Sequence, residues 1–112
     1  MNVPFKIDLK DKVAVVTGGG GVLCSMFAKA LAENGAKVAI LDLRPDAVKT
    51  IADEINASGG KAIAVEANVL KKESLEAARE TVLRELGPCD ILLNGAGGNN
   101  PKGTTDKEYL FP

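Results

Sequence analysis

Histidine and tryptophan are absent from these 112 residues, tyrosine occurs once, and aromatic side chains make up only 4%. Without histidine the chain lacks the commonest zinc ligand and every Ser-His or Cys-His nucleophile system, and no metal site is expected. Its two cysteines, Cys24 and Cys89, are too few for a disulfide framework and read as reduced thiols, buried small apolar groups before anything reactive. Neither sign of charge predominates: 14 Lys and Arg stand against 15 Asp and Glu. That balance excludes the basic excess of a protein that binds nucleic acid or acidic membranes. No apolar run approaches the roughly 20 residues of a membrane span, and residues 1–12 lack the apolar core of a signal peptide. The expected location is therefore cytoplasmic. What remains is ordinary for a globular domain, 46% hydrophobic and 26% charged. One domain over residues 1–112 is expected, burying roughly two-thirds of its unfolded surface.

Four short runs, at 13–16, 38–41, 63–65 and 91–93, are apolar without alternation, as in strands covered on both faces of a parallel sheet. Between them lie three stretches of helical period. Leu23, Phe27, Ala30 and Leu31 mark the first stripe, Val48, Ile51, Ala52 and Ile55 the second, and Leu75, Ala78, Val82 and Leu86 the third. The third lies beneath a solvated face of Lys71, Lys72, Glu73, Glu76 and Glu80. Gly35, Gly59-Gly60 and Gly87-Pro88 stand where helices end and a left-handed residue is wanted, and Pro45 suits a first helical position. Alternating elements with short loops and right-handed crossovers predict an α/β fold of three layers, β-α-β-α-β-α-β, with a parallel sheet ordered 3-2-1-4. Residues 96–112 change in character and read as a loop leading toward a missing C-terminal half.

The first strand runs through Thr17 into Gly18, Gly19, Gly20 and Gly21, and Val22 and Leu23 open the helix that follows. Glycines between a strand and a helix let the backbone approach a pyrophosphate, whose charge the free N–H groups and dipole at the helix start favour. The second strand ends at Asp42, followed by Leu43. A carboxylate there accepts hydrogen bonds from an adenosine ribose diol and repels a 2′-phosphate, so NAD is preferred to NADP, although Arg44 nearby could reach a 2′-phosphate. A glycine turn alone is weak evidence, and within a β-α-β unit with an acid at the end of its second strand it becomes strong.

The segment Thr17-Gly18-Gly19-Gly20-Gly21-Val22-Leu23-Cys24 resembles the Thr-Gly-x-x-Gly-x-x-Gly turn of the short-chain dehydrogenase/reductase family. Asn94-Gly95-Ala96-Gly97 resembles that family's Asn-Asn-Ala-Gly motif, and Leu9-Lys10-Asp11-Lys12 its usual opening. Asn68 and Val69 stand where the family has an Asp-Val that contacts the adenine. Within the family, residues 96–102 look like the sugar-acid oxidoreductases of the D-mannonate (fructuronate) type. The resemblance implies a Rossmann fold, an NAD-dependent oxidoreductase of a secondary alcohol or ketone, and a homo-oligomer. It places the cofactor on Gly18, Gly19, Gly20, Gly21, Val22, Leu23, Asp42, Leu43, Asn68, Val69, Asn94, Gly95, Ala96 and Gly97. Three positions depart from the motifs: Cys24 for the last glycine of the turn, Asn68 for Asp, and Gly95 for the second Asn.

The family's chemistry depends on a Ser and a Tyr-x-x-x-Lys pair, in which the Lys lowers the phenol pKa and the Tyr acts as general acid and base. Tyr109 is followed by Leu110, Phe111 and Pro112, so no catalytic residue is assigned. The chain is expected to be the cofactor-binding front of a longer enzyme, inactive alone, with an apolar fourth strand whose open edge promotes association. Two other readings stay open: a non-catalytic nucleotide-binding or regulatory module, and an adenosylmethionine-binding, methyltransferase-like domain.

Overall fold

The computed structural model describes residues 8–18 and 21–95. Along them run β1 (Val13–Thr17), α1 (Val22–Glu33), β2 (Lys37–Asp42), α2 (Pro45–Ala57), β3 (Lys61–Glu66), α3 (Lys72–Glu85) and β4 (Ile91–Asn94). The four strands form one parallel sheet in the order β3-β2-β1-β4. Val15 lies level with Ala39 on one side and Leu92 on the other.

Alternate residues of the central strands feed two separate cores. Ala14, Val16, Val38 and Ile40 pack with Ala28 of α1 and Val48, Ala52 and Ile55 of α2. Val13, Val15, Ala39 and Leu41 pack with Ala78, Val82 and Leu86 at α3. The three layers follow from strand order. From β1 to β3 the chain steps one way across the sheet, so right-handed crossovers put α1 and α2 on the same face. It then doubles back to set β4 beside β1, and α3 must cross the opposite face. Asp90 anchors that return: its N–H donates to the Val13 carbonyl at 2.8 Å, and its Oδ2 accepts from the Val13 N–H at 2.9 Å.

The stripes expected on α2 and α3 are the ones that face the cores. On α1 the expected stripe is displaced. Leu31 packs against the core as anticipated, but Leu23 and Phe27 are 65% and 44% exposed, alongside exposed Val22 and Met26. The inward face is instead Cys24, Ala28, Leu31 and Ala32. Helix α1 is apolar almost all round (VLCSMFAKALAE), so periodicity offers two stripes one residue apart and no polar face to choose between them. Side-chain size decides. Small Cys24 and Ala28 let the helix axis come close to Ala14 and Val16, where Leu23 and Phe27 would hold it off.

Helix ends match the punctuation in the sequence. Gly35 (φ +101°), Gly59 (φ +96°) and Gly87 (φ +117°) take the left-handed conformation after α1, α2 and α3. At Gly35 space matters too, because a Cβ would meet the Lys10 N–H nitrogen at 3.1 Å. Pro45 is the first residue of α2. Cys24 and Cys89 are both free thiols. Cys89 is half-buried beside the α3 core, its Sγ donates to the Ile91 carbonyl at 3.3 Å, and burial raises its pKa above the ordinary thiol value.

Candidate functional site

In a parallel sheet all strand carboxyl ends lie along one edge, and the direction of winding reverses between β1 and β4. Ligands of wound α/β sheets bind outside the carboxyl ends at this kind of switch point. The residues singled out from sequence all lie along this edge where they are described. Gly18, Gly21, Val22 and Leu23 form the β1–α1 junction. Asp42 ends β2 and Leu43 follows it, Asn68 and Val69 follow β3, and Asn94 and Gly95 close β4. Gly19, Gly20, Ala96 and Gly97, like Tyr109 and the expected loop 96–112, lie outside the described residues.

Backbone hydrogen bonds carry the pairing past the strand ends and hold the edge together. Gly18 N–H donates to the Leu41 carbonyl at 2.8 Å, Ala67 N–H to the Asp42 carbonyl at 2.9 Å, and Gly95 N–H to the Thr17 carbonyl at 3.1 Å. Gly18 leaves β1 with φ +70°, a left-handed conformation that turns the chain toward α1. At the helix start Gly21 is the N-cap, with no side-chain capping hydrogen bond and no acid in the first turn, whereas α2 carries Asp46 there and α3 carries Glu73. The first N–H groups of α1 thus have no capping side chain among the described residues and no acid in their own turn, which suits an anion.

Asp42 is half-buried, and its Oδ1 accepts from the Arg44 N–H at 2.9 Å, which orients the carboxylate at the end of β2. Asn68 is tied into the turn before α3: its Oδ1 accepts from the Leu70 N–H at 3.0 Å, and its own N–H donates to Ser74 Oγ at 2.8 Å. Here an amide oxygen does the work of a turn-forming carboxylate, so the departure from Asp leaves the loop geometry supported.

The sequence motifs include Thr17 but do not mark it as a site residue, and it is central to this edge. It is the one buried polar residue among those described, 4% exposed. Its hydroxyl donates to Asn94 Oδ1 at 2.7 Å and accepts from the Gly95 N–H at 3.2 Å. Both hydroxyl functions therefore clamp β4 to β1 at the switch point. A lone hydroxyl closing an otherwise apolar strand is the signal that marks it. Among the described residues no group of three His, Cys, Asp or Glu could hold a metal ion, and no helix is long and apolar enough to cross a membrane.

Comparison with known proteins identifies this arrangement. The family model for short chain dehydrogenases matches residues 12–109. The chain belongs to the short-chain dehydrogenase family. It is 50% identical over 109 residues to an uncharacterized oxidoreductase of Haemophilus influenzae, covering 97% of this chain and 38% of the relative. To the uncharacterized oxidoreductase UxuB of Bacillus subtilis it is 49% identical over 106 residues, covering 95% and 38%. The chain thus spans under two-fifths of the length of these relatives. Among solved structures, a protein assigned as a D-mannonate oxidoreductase from Haemophilus influenzae, with bound NAD, superposes with a TM-score of 0.80 at 52% identity, covering 90% of this chain and 36% of that one. A hydroxysteroid dehydrogenase of Escherichia coli gives a TM-score of 0.76 at 35% identity, covering 83% and 40%. The Rossmann-type sheet ordered 3-2-1-4 is that of the short-chain dehydrogenases. Of the three readings weighed from sequence, a methyltransferase-like domain belongs to a different family.

Proposed function

We propose that this chain is the NAD-binding part of a short-chain oxidoreductase that interconverts a secondary alcohol and a ketone, with a sugar acid as the substrate. One observation carries the reading: the uncapped, acid-free start of α1, reached over a glycine junction, lies at the β1–β4 switch point with Asp42 closing the neighbouring strand. This donor and acceptor set fits a dinucleotide, with N–H groups for a diphosphate and a carboxylate for a diol. In this reading Gly18, Gly19, Gly20, Gly21, Val22 and Leu23 bind the pyrophosphate. Asp42 and Leu43 bind the adenosine ribose, Asn68 and Val69 flank the adenine, and Asn94, Gly95, Ala96 and Gly97 support the nicotinamide ribose. NAD supplies the hydride acceptor and donor when bound.

Asp42 disfavours a 2′-phosphate by charge, so NAD is the cofactor in preference to NADP. Likeness at 52% identity to an NAD-bound protein assigned as a D-mannonate oxidoreductase supports both the cofactor and the sugar-acid class of substrate. The pattern Tyr-x-x-x-Lys does not occur in these 112 residues. The chain on its own therefore binds cofactor without turnover in this reading, and substrate contacts come from outside it.

Calorimetric titration with NADH and NADPH, on the chain and on Asp42→Ala, tests the proposal. Saturable NADH binding that exceeds NADPH binding and is lost in the variant is expected. A folded chain that binds neither nucleotide overturns it. Binding that survives Asp42→Ala unchanged removes the assigned role of the carboxylate.

A further inference from the structure

We infer that Cys24 and Gly95 form one packing unit, in which the Cys24 thiol occupies the space beside residue 95, where the end of β4 meets the start of α1, and so demands glycine at position 95. An ideal Cβ on residue 95 would fall inside the van der Waals envelope of Cys24 Sγ. The same Cβ would lie 3.8 Å from Cys24 Cβ, an ordinary contact, and 3.2 Å from the Thr17 carbonyl oxygen, a tight one. The sulfur is therefore the principal obstacle. Gly95 is not among the glycines with left-handed backbone, so space rather than conformation demands glycine there.

Both partners are held. Gly95 N–H donates to the Thr17 carbonyl and to Thr17 Oγ1, which fixes it to the end of β1. Cys24 lies in the first turn of α1 and packs against the core that contains Ala14, Val16 and Ala28. Its thiol moves only by rotation about χ1, and in a helix one of the three staggered positions is closed by the preceding turn. Cys24 and Gly95 thus share one space where the end of β4 meets the start of α1. The departures from the glycine and asparagine motifs at these positions amount to one change made in two places: the side chain gained at 24 fills room released at 95.

The consequence for binding rests on the NAD reading, whereas the contact itself does not. The test compares the 112-residue chain with Cys24→Ala, Gly95→Ala and the double variant by thermal melting and by titration with NADH and with AMP. Gly95→Ala overpacks the site and is expected to weaken NADH by roughly tenfold or more and to lower the melting temperature. Cys24→Ala alone changes NADH affinity little. The double variant recovers most of the loss, short of the pressure left by the Thr17 carbonyl. AMP, which reports the Asp42 end of the crevice, binds alike in all four proteins.

Equal damage from Gly95→Ala with and without Cys24, no damage at all, or a parallel loss of AMP overturns the inference. If Gly95→Ala does not fold, folding regained in the double variant supports the unit and continued failure refutes it. A parent chain that binds neither nucleotide defeats the NAD reading, while the melting temperatures still decide the packing unit.

Discussion

Replacing Thr17 by valine keeps the side-chain volume and removes the hydroxyl that joins β1 to β4. The hydroxyl donates to Asn94 Oδ1 at 2.7 Å, a short bond between neutral groups, and shares the Gly95 N–H with the Thr17 carbonyl. In the variant Gly95 N–H keeps the carbonyl at 3.1 Å, so the backbone loses no partner outright. Asn94 is exposed at the strand end, and water can replace the lost donor. The cost is therefore that of one net hydrogen bond, about 1 kcal/mol, without the further penalty of a buried group left unpaired. For a domain of this size that corresponds to a fall of about 4–8 °C in melting temperature. Thermal denaturation followed by far-ultraviolet circular dichroism measures it, with Thr17→Ser as the control that keeps the hydroxyl and gives up only the methyl. Because the clamp holds the switch point itself, Thr17→Val is also expected to weaken NADH more than AMP. A valine variant as stable as the parent would refute the clamp.

Ile40 is fully buried in the core shared with α1 and α2; Ile40→Ala is expected to cost about 2–5 kcal/mol and Ile40→Val about 0.5–1.5 in urea unfolding, and equal losses would contradict a close-packed site. Burial raises the Cys89 pKa, so the folded state keeps the thiol protonated at pH values where the unfolded chain ionises. Its contribution to stability is complete below the ordinary thiol pKa and is lost as pH rises through the raised one. The parent's melting temperature should therefore fall more steeply than that of Cys89→Ala between the ordinary and the raised value, and parallel curves there would remove the effect. Strand β4 has β1 as its single neighbour among the described residues, and Val22, Leu23, Met26 and Phe27 lie exposed on α1. Sedimentation is expected to show self-association that rises with concentration and is reduced by Phe27→Lys, and a strictly monomeric chain at every concentration would refute this.

Most of this fold is legible because two periodicities are unambiguous in the sequence. The short unbroken apolar runs suit strands of a parallel sheet, and the stripes on α2 and α3 are each opposed by a charged face that leaves one orientation. Helix α1 has no such face, so its rotation is decided by tertiary packing of Cys24 and Ala28, which no one-dimensional pattern carries. The candidate site divides along the same line. Its position follows from glycines and an acid at strand ends, which local geometry requires whatever the rest of the chain does. Its construction depends on residues far apart in sequence. Thr17 acts through Asn94 and Gly95, and Cys24 constrains Gly95, only because β4 returns to lie beside β1. Taken singly, a cysteine for a glycine and a glycine for an asparagine look like two losses of fit. Brought together by the strand order, they fill one space, so that a side chain added at 95 meets the one already present at 24 and the cost of that addition depends on which residue stands there.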